Sequence, residues 1–386
     1  MPVPTCLPVP DRESTPMLRL AARAASALAL ASALALTVTT PALADPPQPV
    51  PVPPPAATDI VGVGAGVTES LLNQFSTDYN AALTAAGDST SPRLYSWDST
   101  GSKVITPKSG ATPIVRPETS TAGILTLNAN TRGTVDFARS TRAPRTDDPT
   151  TDLFVAMAKD AVSWAAPTGG NAPASLTTSQ LTQIYTCTIT NWRQIDPALP
   201  DATIRPVLAG HVLVDRSGAE GTFVESSSFL LQAIDYFPAL WRDSWTDHSC
   251  VSVVERGNQG TDPVLHDPNA IVPYSVGRYV GQAYGGYTKP GDEPGLLVPR
   301  ALDGIAPVNP AVGAISATFA DTNYGYVLYN TLRAADWNAM DGHAAALHNI
   351  FGVTGWICRN AGAGVTLRKH GFRTLPAGAC GSGVHS

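Results

Sequence analysis

Four short stretches carry side chains small and polar enough to surround a ligand. They are G-V-G-A-G-V-T ending at Thr68, R-P-E-T-S-T with Ser120 and Thr121, F-A-R-S-T with Ser140 and Thr141, and R-S-G-A-E-G-T at 216–222. Hydroxyls donate hydrogen bonds without adding charge, and an arginine adds a forked cationic contact; together they suit an oxyanion. Arg216, Ser217, Gly221 and Thr222 would form one such cradle, but Glu220 stands in its middle. A carboxylate repels a dianion unless it pairs with a cation or faces solvent. Pairing with Arg216, four residues earlier, would neutralise the cradle and suit a neutral polar solute; turning to solvent would leave the backbone N–H groups for an anion.

The flanking residues indicate how such corners are positioned. Asp59–Val63 reads as a short buried strand, Gly64–Gly66 as a tight turn, and Thr68 onward as an amphipathic helix with Leu71, Leu72 and Phe75 inward. Glu118–Thr121 is a polar entry into a helix around Ile124 and Leu127, and Val135–Ala138 is a strand end before Ser140-Thr141. Three strand ends followed by small polar loops point to an open α/β sheet whose loops meet along one edge. Further on, D-L-F-V-A-M-A-K-D-A-V-S-W-A-A-P predicts two short strands joined at Lys159-Asp160. Thr177 or Thr178 caps a helix, Thr203–Leu208 and Asn269–Val276 are strands, and a helix is expected over Gly221–Ile234. Its N-terminus would favour an anion at the 216–222 loop. Gly281–Gly295 is glycine-rich and expected to be flexible; a strand at Gly325–Tyr329 and a helix near Asp341–Phe351 close the body.

The first 57 residues differ in kind. Arg19 and Arg23 precede the run A-L-A-L-A-S-A-L-A-L-T-V, and Ala42-Leu43-Ala44 has the small-x-small form of an export cleavage site. Met17 is an alternative start. Asp45 stands where a lipid-anchored protein needs cysteine, so residues 1–44 are expected to be a signal region without a lipobox, and the product secreted or associated with the cell surface. Its removal takes three of 25 basic and two of 31 acidic residues, leaving a net charge of -7. Seven prolines between Pro46 and Pro55 make 45–57 a stiff, extended tether. Cys6 leaves with the signal region. Cys187, Cys250, Cys358 and Cys380 remain, an even number that in an exported chain implies two disulfides in one of three pairings.

Several function classes lack support. An acidic chain with no arginine-rich stretch gives no electrostatic footprint for nucleic acid. No G-x-S-x-G, H-E-x-x-H or G-x-x-x-x-G-K-[ST] motif occurs, and neither the histidines nor the cysteines have metal-binding spacing. No enzyme activity, metal or cofactor is expected.

In order and spacing, I-V-G-V-G-A-G-V-T, R-P-E-T-S-T-A-G-I, V-D-F-A-R-S-T, I-Y-T-C-T-I-T-N-W and R-S-G-A-E-G-T-F resemble the solute-binding proteins of phosphate ABC importers, in their secreted actinobacterial branch. The resemblance covers roughly 58–386. It implies a two-lobed, type II periplasmic-binding-protein-like α/β fold with two interlobe crossovers, residues 58–158 plus 271–386 forming one lobe and 159–270 the other. Each disulfide then falls within a lobe, as Cys187–Cys250 and Cys358–Cys380. It implies a ligand set of Thr68, Ser120, Thr121, Ser140, Thr141, Arg216, Glu220, Gly221 and Thr222 around a small polar solute or oxyanion. An ABC transporter permease is the implied partner and a monomer the expected state. The ligand loops are altered: Glu220 replaces a donor serine, Ser140-Thr141 ends a pattern that normally closes on aspartate, and Ala65-Gly66-Val67 replaces polar residues. These changes leave two alternatives open: a wall-associated scaffold that no longer binds phosphate, and a receptor for another polar solute.

Overall fold

Ile60–Gly64 enter the core as strand β1 with every residue buried. In the computed structural model, the described residues are 54–209, 211–214, 220–223, 249–254 and 256–385, all within a unit running from Ala44 to Ser386. The expected signal region and most of the expected tether lie outside them. Residues 54–57 of the tether are placed against the body: the Pro55 carbonyl accepts the Ser109 N–H at 2.7 Å.

After β1 come a 3-10 turn at Gly66–Thr68, helix α1 (Glu69–Ala85), β2 (Leu94–Ser96), α2 (Ser120–Ala129) and β3 (Phe137–Ser140). Next are β4 (Asp152–Pro167), α3 (Thr178–Tyr185), β5 (Arg205–Ala209), β6 (His211–Val214), β7 (Glu220–Phe223) and β8 (Ser252–Val254). The chain continues through β9 (Ala270–Ser275), α4 (Val276–Ala283), β10 (Leu297–Pro299) and β11 (Gly325–Arg333). It ends with α5 (Gly342–Phe351), α6 (Ala361–Lys369) and β12 (Gly383–His385). Among the described residues, ten strands form one mixed sheet in the order β8-β5-β9-β4-β11-β3-β1-β2, with β10 and β12 also paired to β4. β2 and β3 both run parallel to β1, so their C-terminal ends share an edge. The helices pack apolar faces on this sheet: Leu71, Leu72 and Phe75 of α1 are fully buried, as their spacing requires.

Two expectations change. Residues 152–167 are a single 16-residue strand without a break at Lys159-Asp160. Lys159 pairs with Val327 and Asp160 with Tyr326; the register shifts nearby, where Leu328 pairs with Ala158 and Tyr329 with Ala156, leaving Met157 as an extra residue of the long strand. Two polar residues read as a turn because no local signal reports that Asp160 has partners far along the chain. Its carboxylate accepts from Ser275 Oγ at 2.6 Å, Tyr326 Oη at 2.7 Å, and the Gly277 and Ala161 N–H groups at 2.8 and 2.7 Å. Four donors allow a buried acid with no cation partner among the described residues. The second change is at Gly221–Phe223, which belongs to strand β7, antiparallel to β6, where a helix start was expected; the rest of the expected helix lies outside the described residues.

The two largest clusters of buried side chains take in successive stretches of the long strand, 153–158 and 161–166. One gathers Ile60, Phe75, Phe137, Leu328 and Phe351; the other gathers Trp164, Tyr185, Trp192, Ile204 and Phe319. Cys187–Cys250 and Cys358–Cys380 are bonded, in the pairing implied by the resemblance. Lys108 Nζ and Asp136 Oδ2 form a fully buried ion pair at 2.7 Å, and Asp136 also accepts the Val61 N–H. The glycine-rich stretch expected to be flexible is tied down: Tyr287 Oη donates to Gln74 Oε1 at 2.9 Å, and its ring lies 3.5 Å from that of His370.

Candidate functional site

The parallel strands β1 and β3 deliver two corners to the same edge, and the start of α2 packs beside them. At the first, Gly64 has φ +108°, and a Cβ there would lie 2.8 Å from the Arg139 carbonyl oxygen. The left-handed conformation and the close approach both require glycine. The adjoining Ala65 N–H donates to that carbonyl at 3.2 Å. Gly123 of α2 also packs against this turn; a Cβ on it would come within 2.8 Å of the Gly64 Cα. Small residues at 64 and 123 therefore let the starts of α1 and α2 approach each other and the end of β3.

Thr68 precedes α1 as its cap residue but makes no side-chain cap bond. It is 1% exposed, and its Oγ1 finds no hydrogen-bond partner among the described residues. A buried hydroxyl left without a partner costs about 1–3 kcal/mol, so such an atom needs a water or ligand to complete it. At α2 the cap is Thr119, whose Oγ1 accepts the Ala122 N–H at 3.1 Å. Ser120 is thereby the first helical residue. Its Oγ lies 3.1 Å from Thr141 Oγ1 and accepts the Thr141 N–H at 3.0 Å. Ser140 Oγ turns back on its own loop, donating to the Arg142 carbonyl at 2.8 Å and accepting the Arg142 N–H at 3.2 Å. Thr121 is half-buried on the first turn of α2.

The structure therefore brings Ser120 and Thr141 into contact, with Ser140 beside them and Thr68 on the same sheet edge. The fourth stretch stands apart in kind. Glu220, Gly221 and Thr222 lie opposite Val214, Leu213 and Val212 in the β6–β7 hairpin. Arg216 is outside the described residues.

Arg139 and Arg142, on either side of Ser140-Thr141, are both buried. Arg142 forms a two-pronged pair with Asp148, at 2.6 and 2.7 Å. Arg139 is fully buried. Its Nε donates to the Ala65 carbonyl at 3.0 Å and its Nη2 to the Gly64 carbonyl at 2.6 Å, while Nη1 reaches Ser96 Oγ at 2.5 Å and the Trp97 carbonyl at 2.7 Å. Burial lowers this guanidinium to about 10, against the opposing pull of Glu69 and Asp98, so it stays charged at neutral pH. An arginine amid the small and apolar residues of F-A-R-S-T was the available signal for this role.

A charged cluster at the start of α1 was also not anticipated. Glu69 accepts the Ser99 N–H and hydroxyl at 2.8 and 2.7 Å, and Lys289 Nζ bridges Glu69 at 3.1 Å and Asp98 at 2.7 Å. Arg278 bonds to Ser70 Oγ and pairs with Asp292. Burial by itself would raise the Glu69 carboxyl, but Lys289, Arg278 and the Ser99 hydroxyl prevail and hold it at about 2. The Glu69 charge is thus consumed locally. Among the described residues no group of three or more His, Cys, Asp or Glu side chains is placed to hold a metal ion.

An open mixed sheet with hydroxyl-bearing corners gathered where helices begin is the architecture of a small-solute receptor. The chain belongs to the PBP superfamily: the family model described as "PBP superfamily domain" matches residues 51–329. Its fold is the type II periplasmic-binding-protein-like α/β fold, and the family is one of substrate binding, not catalysis. A putative phosphate ABC transporter substrate-binding protein with bound phosphate from Clostridium perfringens superposes with a TM-score of 0.52 at 13% identity, over 82% of this chain and 99% of that one. An ABC-type phosphate transport receptor from Vibrio cholerae gives 0.48 at 15% identity, over 82% of this chain and all of the other. No curated protein sequence matches significantly. Among the described residues no helix is long and apolar enough to cross a membrane.

Proposed function

We propose that this is an extracytoplasmic solute-binding protein that captures phosphate or a related oxyanion and presents it to an ABC importer. The observation that carries this reading is the buried, unpartnered Thr68 hydroxyl at the start of a 17-residue helix. Helix starts present N–H groups without intrahelical partners and a partial positive charge, so an anion there would satisfy both the helix and Thr68. Thr121, Ser120, Ser140 and Thr141 supply further hydroxyls from neighbouring corners, and the 216–222 loop with Arg216, Glu220, Gly221 and Thr222 would close the opposite wall. In this reading the two cores belong to two lobes that meet along β4 near Lys159-Asp160 and close on the solute as a hinge.

A second reading has its own observation. Ser120 and Thr141 satisfy each other, and Ser140 is engaged with Arg142. Corners that need no ligand suit a wall-associated scaffold, or a receptor for a neutral polar solute.

Thermal unfolding of the exported body with phosphate, sulfate, phosphonates, sugars and amino acids separates the two. An oxyanion receptor is stabilised by phosphate or a related oxyanion alone; a scaffold by none of them. Calorimetry on Arg216→Ala and Glu220→Ser then tests the 216–222 wall. The first substitution should weaken binding. The second should strengthen it if Glu220 repels the anion.

A further inference from the structure

We propose that Arg139 is a positioning residue for the oxyanion site, fixing the peptide planes of the Gly64–Gly66 corner and placing a positive charge beneath it. The proposal rests on the oxyanion reading above and deepens it, because it names the group that orients the corner without reaching the ligand.

The geometry is specific to a guanidinium. Four acceptors from two separate segments, Gly64 and Ala65 on one side and Ser96 and Trp97 on the other, are held by one planar fork. A lysine ammonium could not span that set. The Arg139 backbone adds a fifth tie by accepting the Ala65 N–H. Both peptide units of the corner are thus set by one residue. In a trans peptide the N–H points opposite to its carbonyl. With the Ala65 carbonyl turned onto Nε, the Gly66 N–H points away from the guanidinium, at the start of the turn that leads into α1. Gly66 has little room to adjust, since a Cβ there would lie 2.7 Å from Ser99 Oγ.

The charge has a consequence of its own. All four side-chain hydrogen bonds of Arg139 go to neutral acceptors, and the residue has no exposed surface. Glu69 and Asp98, the carboxylates close enough to influence it, are themselves bridged by Lys289. Carbonyl dipoles stabilise the buried cation but do not cancel its charge. An anion received at the corner would feel that charge through protein and not through water, where it is weakly screened.

The test is calorimetric titration of the wild type, Arg139→Lys and Arg139→Gln with inorganic phosphate, normalised to the folded fraction. The Gly66 amide resonance is followed through the same titration. The expected result is a loss of about tenfold in affinity for Arg139→Lys, which keeps the charge but not the fork, and about a hundredfold for Arg139→Gln. The phosphate-induced shift of the Gly66 amide should shrink in both variants. A purely structural role lowers the melting temperature but leaves the affinity of folded protein, and the Gly66 shift, at wild-type values. Should the glutamine variant not fold, the lysine variant decides by the same two readouts. Wild-type binding with variants within twofold overturns the role of Arg139 and leaves the oxyanion reading standing; a wild type that binds no oxyanion overturns both.

Discussion

Ser120 Oγ lies 3.1 Å from Thr141 Oγ1 and accepts the Thr141 N–H at 3.0 Å, joining the start of α2 to the end of β3. Twenty-one residues separate the two, so the contact is made by the sheet and not by local chain geometry. Because the hydroxyls share a bond, their energies should not add. Ser120→Ala and Thr141→Val are each expected to weaken oxyanion binding about tenfold, the worth of one hydrogen bond to a charged group. The double variant should lose clearly less than the product. Calorimetry on the three variants checks this, and a fully multiplicative loss would contradict it.

The His370 imidazole is buried, its Nδ1–H donating to the Thr366 carbonyl at 2.8 Å and its ring against Tyr287. Burial lowers it to about 4 from an ordinary 6.5, so it is neutral in the folded protein. The unfolded chain then binds the extra proton between those values. Stability should fall as pH drops from about 6.5 towards 4 and lose nothing further to this residue below that. Urea unfolding across pH 4–8 should show the decline, and His370→Gln should flatten it.

Glu69 adds a second acid-sensitive step. Its folded carboxyl sits at about 2, below the ordinary 4.5, through Lys289, Arg278 and Ser99 acting against burial. The stability it contributes is present above about 4.5 and lost as pH falls towards 2. Lys289→Ala should raise the Glu69 value and move the acid-unfolding midpoint to higher pH. An unchanged midpoint would mean that Lys289 does not govern this carboxylate.

The buried pair Lys108–Asp136 gives a sharper stability test. Lys108→Met leaves a carboxylate without its cation in a dry site and is expected to cost about 3–5 kcal/mol. Adding Asp136→Asn should recover part of that loss, because the amide oxygen can still accept the Val61 N–H without carrying charge. Denaturant unfolding of the single and double variants measures both.

Much of the first half was legible in the sequence because its signals are local. β1 and α1 follow from apolar periodicity, the turn between them from its glycines, and α2 from the polar entry at Glu118–Thr121. The long strand β4 was not legible as one element: Lys159-Asp160 resembles a turn until Ser275, Gly277 and Tyr326 supply donors for Asp160. The role of Arg139 was not legible for the same reason. Its acceptors come from β1 and from the end of β2, some 40 to 75 residues back along the chain. The tying of Tyr287 and Lys289 to α1 likewise depends on tertiary packing, which glycine content alone does not report. The disulfide pairing was available only through the resemblance, since four cysteines fit three pairings equally well.

The most direct measurement of the central claim is calorimetric titration of residues 45–386 and of their Thr68→Val variant with inorganic phosphate and sulfate. If the Thr68 hydroxyl completes an oxyanion site, the wild type binds one equivalent of phosphate or sulfate, and the valine variant binds it about tenfold or more weakly, with its fold intact. A wild type that binds neither anion, or a valine variant that binds as tightly, would contradict the account.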